Sequence, residues 1–182
     1  MAERLPLKVL GSKALRQIGV GDHFRRDLVL NGPVASPLVS DALRTRVLRR
    51  AGLRLGRRVV ISPRCFFGGV QVEIGAGTFV NWDCFFDNKG SIAIGPGCLV
   101  GMGVRFITSH HEVGTPPTGR PIVVGRECWS GAFSVVLPGV TIGDRCVVGA
   151  GSVVTRDLAS GGRYAGNPAR PIDGAGAASD EL

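Results

Sequence analysis

The chain has 182 residues, 44% of them hydrophobic, with 28 glycines, 11 prolines and a formal net charge of +8. That length suits one sizeable core with an appendage, and the glycine and proline content suits corner-rich β structure. No apolar run reaches transmembrane length, and with 6% aromatic residues and no interleaved basic motif the charge does not read as a nucleic-acid surface.

In chain order, Met1–Val20 alternates basic residues with short apolar pieces. It lacks the continuous apolar core and small-residue cleavage site of a signal peptide. The stretch Leu5–Ser36 fits no single element, with Asn31-Gly32-Pro33 marking a turn. Ser40 is placed as an N-cap, Asp41 suits a first turn and Gly52 a stop, so a short helix is expected over Asp41–Ala51. Leu43, Val47 and Leu48 form its expected inward face, capping the open end of a repetitive region that starts at Leu55. Arg44, Arg46, Arg49, Arg50, Arg54, Arg57 and Arg58 crowd this stretch. They read as a solvated face, or as a surface that attracts a polyanionic ligand or an anionic membrane.

From Leu55 onward one register dominates. Leu55, Ile61, Phe67, Ile74, Val80, Phe86, Ile94, Val100 and Phe106 recur at intervals of six, with one extra residue before Ile74 and two before Ile94. Val124, Ser130, Val136, Ile142, Val148 and Val154 continue the series, and glycine follows most members of the column. A period of six is neither that of a helix nor that of one long strand. It predicts a chain that turns a corner every six residues, about 18 residues to a coil, and stacks on itself. Glycine after the inward residue is expected to supply the backbone angles of the turn.

Cys65, Cys84, Cys98, Cys128 and Cys146 each lie four residues after an inward position, in a slot also held by Thr78, Ser134, Val140 and Ser152. They are expected to be buried packing thiols. An odd count without Cys-x-x-Cys speaks against a disulfide framework or zinc knuckle, and unpaired thiols fit a reducing cytoplasm. The column breaks in earnest only between Phe106 and Val124, where a polar, Pro-rich segment carries His110 and His111, two of the chain's three histidines. Such an insertion must project from the prism, and loops on rigid scaffolds often carry function. Histidine is the side chain best suited to accept a proton near neutral pH.

These hexads, the Thr108-Ser109-His110-His111-Glu112 loop, Cys128-Trp129-Ser130-Gly131-Ala132, Leu137-Pro138-Gly139, Gly149-Ala150-Gly151-Ser152 through Asp157, and Tyr164-Ala165-Gly166-Asn167-Pro168-Ala169-Arg170 carry a resemblance. Over about Leu55–Ile172 the chain resembles the left-handed β-helix, hexapeptide-repeat acyltransferases, in particular their maltose/galactoside O-acetyltransferase-like group.

The resemblance implies an all-β fold, a left-handed parallel β-helix with a short N-terminal helical segment and one projecting loop. It divides the chain into an N-terminal segment (1–54), the β-helix (55–172, with the loop at 107–123) and a flexible tail (173–182). It implies a homotrimer with active sites between neighbouring prisms, acetyl-CoA as co-substrate with no metal required, and a carbohydrate-like acceptor hydroxyl. His111, directly before Glu112, takes the place of the general base. The Ala132 amide takes that of the oxyanion donor. Asn81, Asp87 and Trp129 fall where the family meets its acceptor. Gly131, Ala150, Thr155, Arg156 and Arg170 fall along the CoA path, the arginines facing phosphates.

Three departures qualify this. Ser130 replaces an aliphatic residue after the tryptophan, Asp173 stands where another basic residue is usual, and the acidic N-terminal module that helps shape the acceptor pocket is not visible. An N-acetyltransferase of an amino sugar and a non-catalytic β-helical scaffold are the alternatives. A γ-carbonic-anhydrase-type zinc enzyme would need three well-placed histidines, and His23 lies outside the coil.

Overall fold

The computed structural model describes residues 27–87, 89–111 and 116–172. The expectations for 1–26 and 173–182, and the neighbours Glu112 and Asp173, lie outside these. Two- and three-residue strands stack into a parallel β-solenoid with three sheets. The first sheet holds Arg54–Leu55, Val72–Ile74, Ile92–Ile94, Ile122–Val124 and Thr141–Ile142. The second holds Val60–Ile61, Phe79–Val80, Leu99–Val100, Trp129–Ser130, Val147–Val148 and Arg163–Ala165, closed by antiparallel Arg170–Pro171. The third holds Phe66–Phe67, Phe85–Phe86, Arg105–Phe106, Val135–Val136 and Val153–Val154.

The sixfold column is the axis of this prism. Ile61 and Val80 pair in register, as do Val80 and Val100, and both partners are buried each time. Phe67, Phe86 and Phe106 stack through the third sheet with ring centroids 4.7 and 5.2 Å apart. Offset stacking of this kind adds to plain burial. Every register slip in the column falls at the same corner, from the third sheet to the first: residues 68–71, 87–91 and the long 107–121. The projecting loop is therefore the largest of three insertions on one edge. Its far boundary is earlier than expected, because Ile122 and Val123 already pair with Ile92 and Ala93.

All five cysteines are free and buried. Each Sγ donates to a carbonyl of the next coil: Cys65 to Asn81 (3.2 Å), Cys84 to Gly101 (3.2 Å), Cys98 to Gly125 (3.1 Å), Cys128 to Gly143 (3.0 Å) and Cys146 to Ala159 (3.0 Å). Thr78 Oγ1 does the same to Gly95 (2.9 Å). The slot thus selects a small side chain, and Cys and Thr there add a bond to the next coil that Val140 does not make. Burial pushes the Cys146 thiol up, and contact with Cys98 together with burial does so for Cys128. Neither is a thiolate nucleophile. Ser134 occupies the same slot with its hydroxyl buried and without a partner among the described residues.

The corner glycines have a different cause from the one expected. Gly75 and Gly131 are not left-handed. A Cβ on Gly131 would lie 2.5 Å from the Ala150 nitrogen, and one on Gly75 would meet the Pro96 backbone. Close stacking of coils excludes a side chain there. The left-handed residues come two positions later, at Gly77 and Gly97 but also at Arg58, Asp83 and Phe133.

The helix, α1, spans Asp41–Arg50, with Ser40 Oγ accepting from the Leu43 N–H. Its inward face differs from expectation. Leu43 is half-exposed, whereas Arg44 is 1% exposed. The Arg44 guanidinium donates to the carbonyls of Val34, Ile61, Ser36 and Val39 and pairs with Asp41. A planar five-donor group can serve several carbonyls that would otherwise be buried unpaired, and no apolar side chain can.

We expect Arg44→Ala to cost about 3–5 kcal/mol in urea unfolding, with Arg44→Lys recovering only part. Ser134→Ala should raise stability by about 1 kcal/mol, since it removes a buried hydroxyl that bonds to nothing.

Candidate functional site

The expected site residues fall into two groups at opposite ends of the third sheet. At the corner between second and third sheets lie Asn81, Gly131, Ala132 and Ala150, stacked coil on coil. Gly101 N donates to Ser130 O and Gly131 N to Val148 O along this edge. Trp129, half-exposed, stands on the outward side of the second sheet just before the corner. Arg170 lies on the closing strand at the top of that sheet, exposed, with its guanidinium on its own chain's Ala169 carbonyl. At the opposite corner lie Asp87, the histidine loop, and exposed Thr155 and Arg156.

The first corner offers unpaired donors. Among the described residues the Ala132 N–H bonds to nothing, because its neighbours Gly131 and Phe133 take the carbonyls of the adjacent coils. Asn81 Oδ1 accepts from the Trp82 N–H at 2.8 Å, which turns its NH₂ outward with no partner among the described residues. Small side chains at Gly131, Ala132 and Ala150 keep the corner low. Phe133, left-handed and 62% exposed, lays its ring against Gly103 of the adjacent coil. Its positive φ is the turn conformation that Arg58 and Asp83 share. The six-residue pattern puts no constraint on an outward corner, so nothing in the sequence singles Phe133 out. Beneath it, the bidentate Arg64–Asp83 pair (2.8 and 2.6 Å) holds the Asp83 carboxyl below its usual range, and Arg64 lies 5.3 Å from the Trp82 ring centre.

The second corner is organised by Asp87. One oxygen, Oδ2, accepts from the backbone N–H of Thr108 (3.0 Å) and of Ser109 (2.7 Å), and from both hydroxyls (3.2 and 2.5 Å). Thr108 Oγ1 also accepts from the Gly90 N–H, and Thr108 O from the Arg120 N–H. Above this clamp Ser109–His110 pairs antiparallel with Thr118–Gly119. The hairpin lies so close to the coil below that a Cβ on Gly119 would meet the Lys89 carbonyl. His110 is half-buried in the hairpin; His111 comes next, exposed. No group of three or more His, Cys, Asp or Glu among the described residues is arranged to hold a metal ion.

Within one chain these corners do not meet. Val136, the last residue of the third-sheet strand that follows Ala132, is four positions on, about 13 Å of extended chain. A general base must come within about 3 Å of the proton it takes. The clamped hairpin leans on Lys89–Gly90, away from the Ala132 edge.

The bacterial transferase hexapeptide profile (six repeats) matches residues 121–156. Nodulation protein L of Rhizobium meliloti is 38% identical over 145 residues, 74% of this chain and 78% of its own. A candidate acetyltransferase of Schizosaccharomyces pombe is 36% identical over 116 residues, 60% of this chain; the chain spans 56% of that relative's length. Among solved structures, a hexapeptide-repeat acetyltransferase of Vibrio cholerae in complex with acetyl-coenzyme A superposes with TM-score 0.72 at 29% identity, covering 93% of this chain and 92% of that one. A galactoside acetyltransferase in complex with coenzyme A gives 0.76 at 27% identity, covering 84% and 80%.

Asp87→Ala should release the hairpin. Hydrogen exchange at the Thr108 and Ser109 amides is expected to quicken by about tenfold or more, while the urea midpoint of the solenoid hardly moves.

Proposed function

The chain belongs to the hexapeptide-repeat acetyltransferases, and on that premise we propose that it carries an acetyl group from acetyl-CoA to a hydroxyl of a sugar or glycosylated small molecule. The observation that carries this reading is the division of the site. One corner presents an unpaired amide and a low, small-residue path, and the other presents a clamped hairpin ending in histidine. A second copy brings its hairpin to the first copy's Ala132 corner, so the working unit is a homotrimer with three clefts. The apolar groups left in solvent around that corner, Leu99, Trp129, Met102 and Phe133, support a covered surface there.

In this reading His111 accepts the proton of the acceptor hydroxyl as its oxygen attacks the thioester carbonyl. The new C–O bond places negative charge on the carbonyl oxygen, and the Ala132 N–H donates to it. Collapse of the tetrahedral intermediate breaks the C–S bond, and the His111 imidazolium returns the proton to the CoA thiolate. No covalent enzyme intermediate is required, which agrees with thiols that face the core. The Asn81 NH₂ donates to acceptor hydroxyls with Trp129 as a wall. Asp87 borders the acceptor and, through its clamp, holds the hairpin that carries the base. Gly131 and Ala150 leave room for the pantetheine arm, Thr155 hydrogen-bonds along it, and Arg156 and Arg170 meet its phosphates. A cytoplasmic setting is supported by five unpaired thiols. Oxygen is favoured over nitrogen as acceptor by similarity to a maltose O-acetyltransferase of Clostridium difficile, which superposes with TM-score 0.70 at 28% identity, covering 84% of this chain and 86% of that one.

Acetyl-CoA at a hundredfold excess over its Kd should stabilise the folded chain by about 2.7 kcal/mol, read as a saturable thermal shift. His111→Ala should keep that shift and lose transfer by about two to four orders of magnitude. Equal turnover in the two proteins would remove His111 from the role. Ala150→Trp, at an exposed corner, should block CoA. Mixed oligomers of His111→Ala and Ala150→Trp should regain activity that neither has alone, and a mixture that stays inactive would overturn the shared cleft.

A further inference from the structure

The N-terminal end of the prism carries a surface that acetyl transfer does not use. Leu28, Val29, Pro33, Val34, Val39, Leu43 and Val47 line an apolar groove between α1 and the two short helical turns before it. Its rim is unusually open to solvent: Leu28 is 55% exposed, Leu43 50% and Val29 47%. Beside it Leu38 is 94% exposed at the tip of a tight turn. That tip is fixed rather than loose. Ser36 Oγ accepts from the Leu38 N–H (3.2 Å), Ser36 O from the Val39 N–H (3.1 Å), and buried Arg44 donates to Ser36 O (2.8 Å).

The charges are placed to match. On α1 the positions Leu43, Arg46, Val47 and Arg50 keep i, i+3, i+4, i+7 spacing and share one face, opposite buried Leu48 and Thr45. Arg46 and Arg50 are exposed, as are Arg57 and Arg58 at the first corner of the same end. Among the described residues none of these four has a carboxylate within ion-pair reach, whereas Arg54, Arg64 and Arg126 each have one. The first coil's own backbone is already capped, since Arg49 donates to Leu55 O and Gly56 O. Among the described residues these four arginines hold no ion pair.

We propose that this end of the prism is a docking surface for an anionic phospholipid bilayer. Leu38, Leu28 and Leu43 enter the acyl boundary, and Arg46, Arg50, Arg57 and Arg58 meet the lipid phosphates. A rigid apolar tip ringed by unpaired cations suits a deformable anionic surface, where each arginine near the headgroups adds to binding and long side chains reach back to the phosphates. Among the described residues no helix is long and apolar enough to cross a membrane, so the contact is peripheral.

The test is co-sedimentation of the full chain with phosphatidylcholine vesicles, with and without one-third phosphatidylglycerol. Binding is expected to the anionic vesicles only and should fall as salt rises. Arg46→Glu should weaken it by about tenfold and Leu38→Ser by about fivefold, both at exposed positions that leave the circular dichroism unchanged. Arg145→Glu, an equal charge change at an exposed site several coils away, should stay within about twofold of the parent. Failure to sediment with either vesicle overturns the proposal. So does an Arg145→Glu loss equal to that of Arg46→Glu, which would make the attraction one of net charge. A Leu38→Ser change in oligomeric mass without vesicle binding also overturns it and gives the face to a second copy.

Discussion

Strands of two residues cannot hold themselves together. The backbone groups of these strands find their partners in the coil above or below, so every coil depends on its neighbours and the two ends are left with open edges. Much of the chain outside the hexads closes those edges. At the lower end Arg49 takes the carbonyls of Leu55 and Gly56 on the first sheet, and Arg44 takes that of Ile61 on the second. Asn31 both donates to Phe67 O and accepts from Phe67 N on the third, as a strand residue would. At the upper end the chain turns back after a cis Asn167–Pro168 bond and pairs antiparallel with Arg163–Ala165.

The same constraint decides where chemistry can reside. The prism interior is filled by buried Phe, Ile and Val. The faces are pinned to one residue in and one out. Only the corners can vary without breaking the stack, and the corner from third to first sheet has absorbed every insertion. Asp87 turns the largest of these from a loose excursion into a positioned hairpin, through one carboxylate oxygen shared among four donors. The corner opposite contributes the reverse: small residues, close stacking, and an amide left over by the stacking pattern.

Most of the solenoid was legible in sequence because burial with a period of six leaves a mark at each inward position. The small-residue slot of the cysteines was legible for the same reason, whereas their bonds to the carbonyls of the next coil were not. The N-cap at Ser40 and the extent of α1 came from local chemistry. Less visible were features that depend on contacts across many residues. The corner glycines were correctly placed but for the wrong cause, since the next coil's backbone, not the turn angle, excludes a Cβ. Arg44 looks like one more surface arginine until four carbonyls converge on it. Leu43 looks like core until the helix turns it outward. Asn31 reads as a turn residue, and its role as a mimic of a missing strand depends on a partner 36 residues away.

The sequence alone determined the repeat, the site of its interruption and, by resemblance, the residue types expected to do the chemistry. These are local matters of spacing and side-chain type, and a column of branched apolar residues has few other ways to be buried. Tertiary structure decided that His111 and Ala132 stand at opposite ends of one sheet, that Asp87 clamps the hairpin, and which arginines cap the first coil and which have no carboxylate partner among the described residues. None of these can be read from spacing. Each depends on which carbonyls and amides the stacking leaves unpaired, and that is known only once the coils are laid on one another.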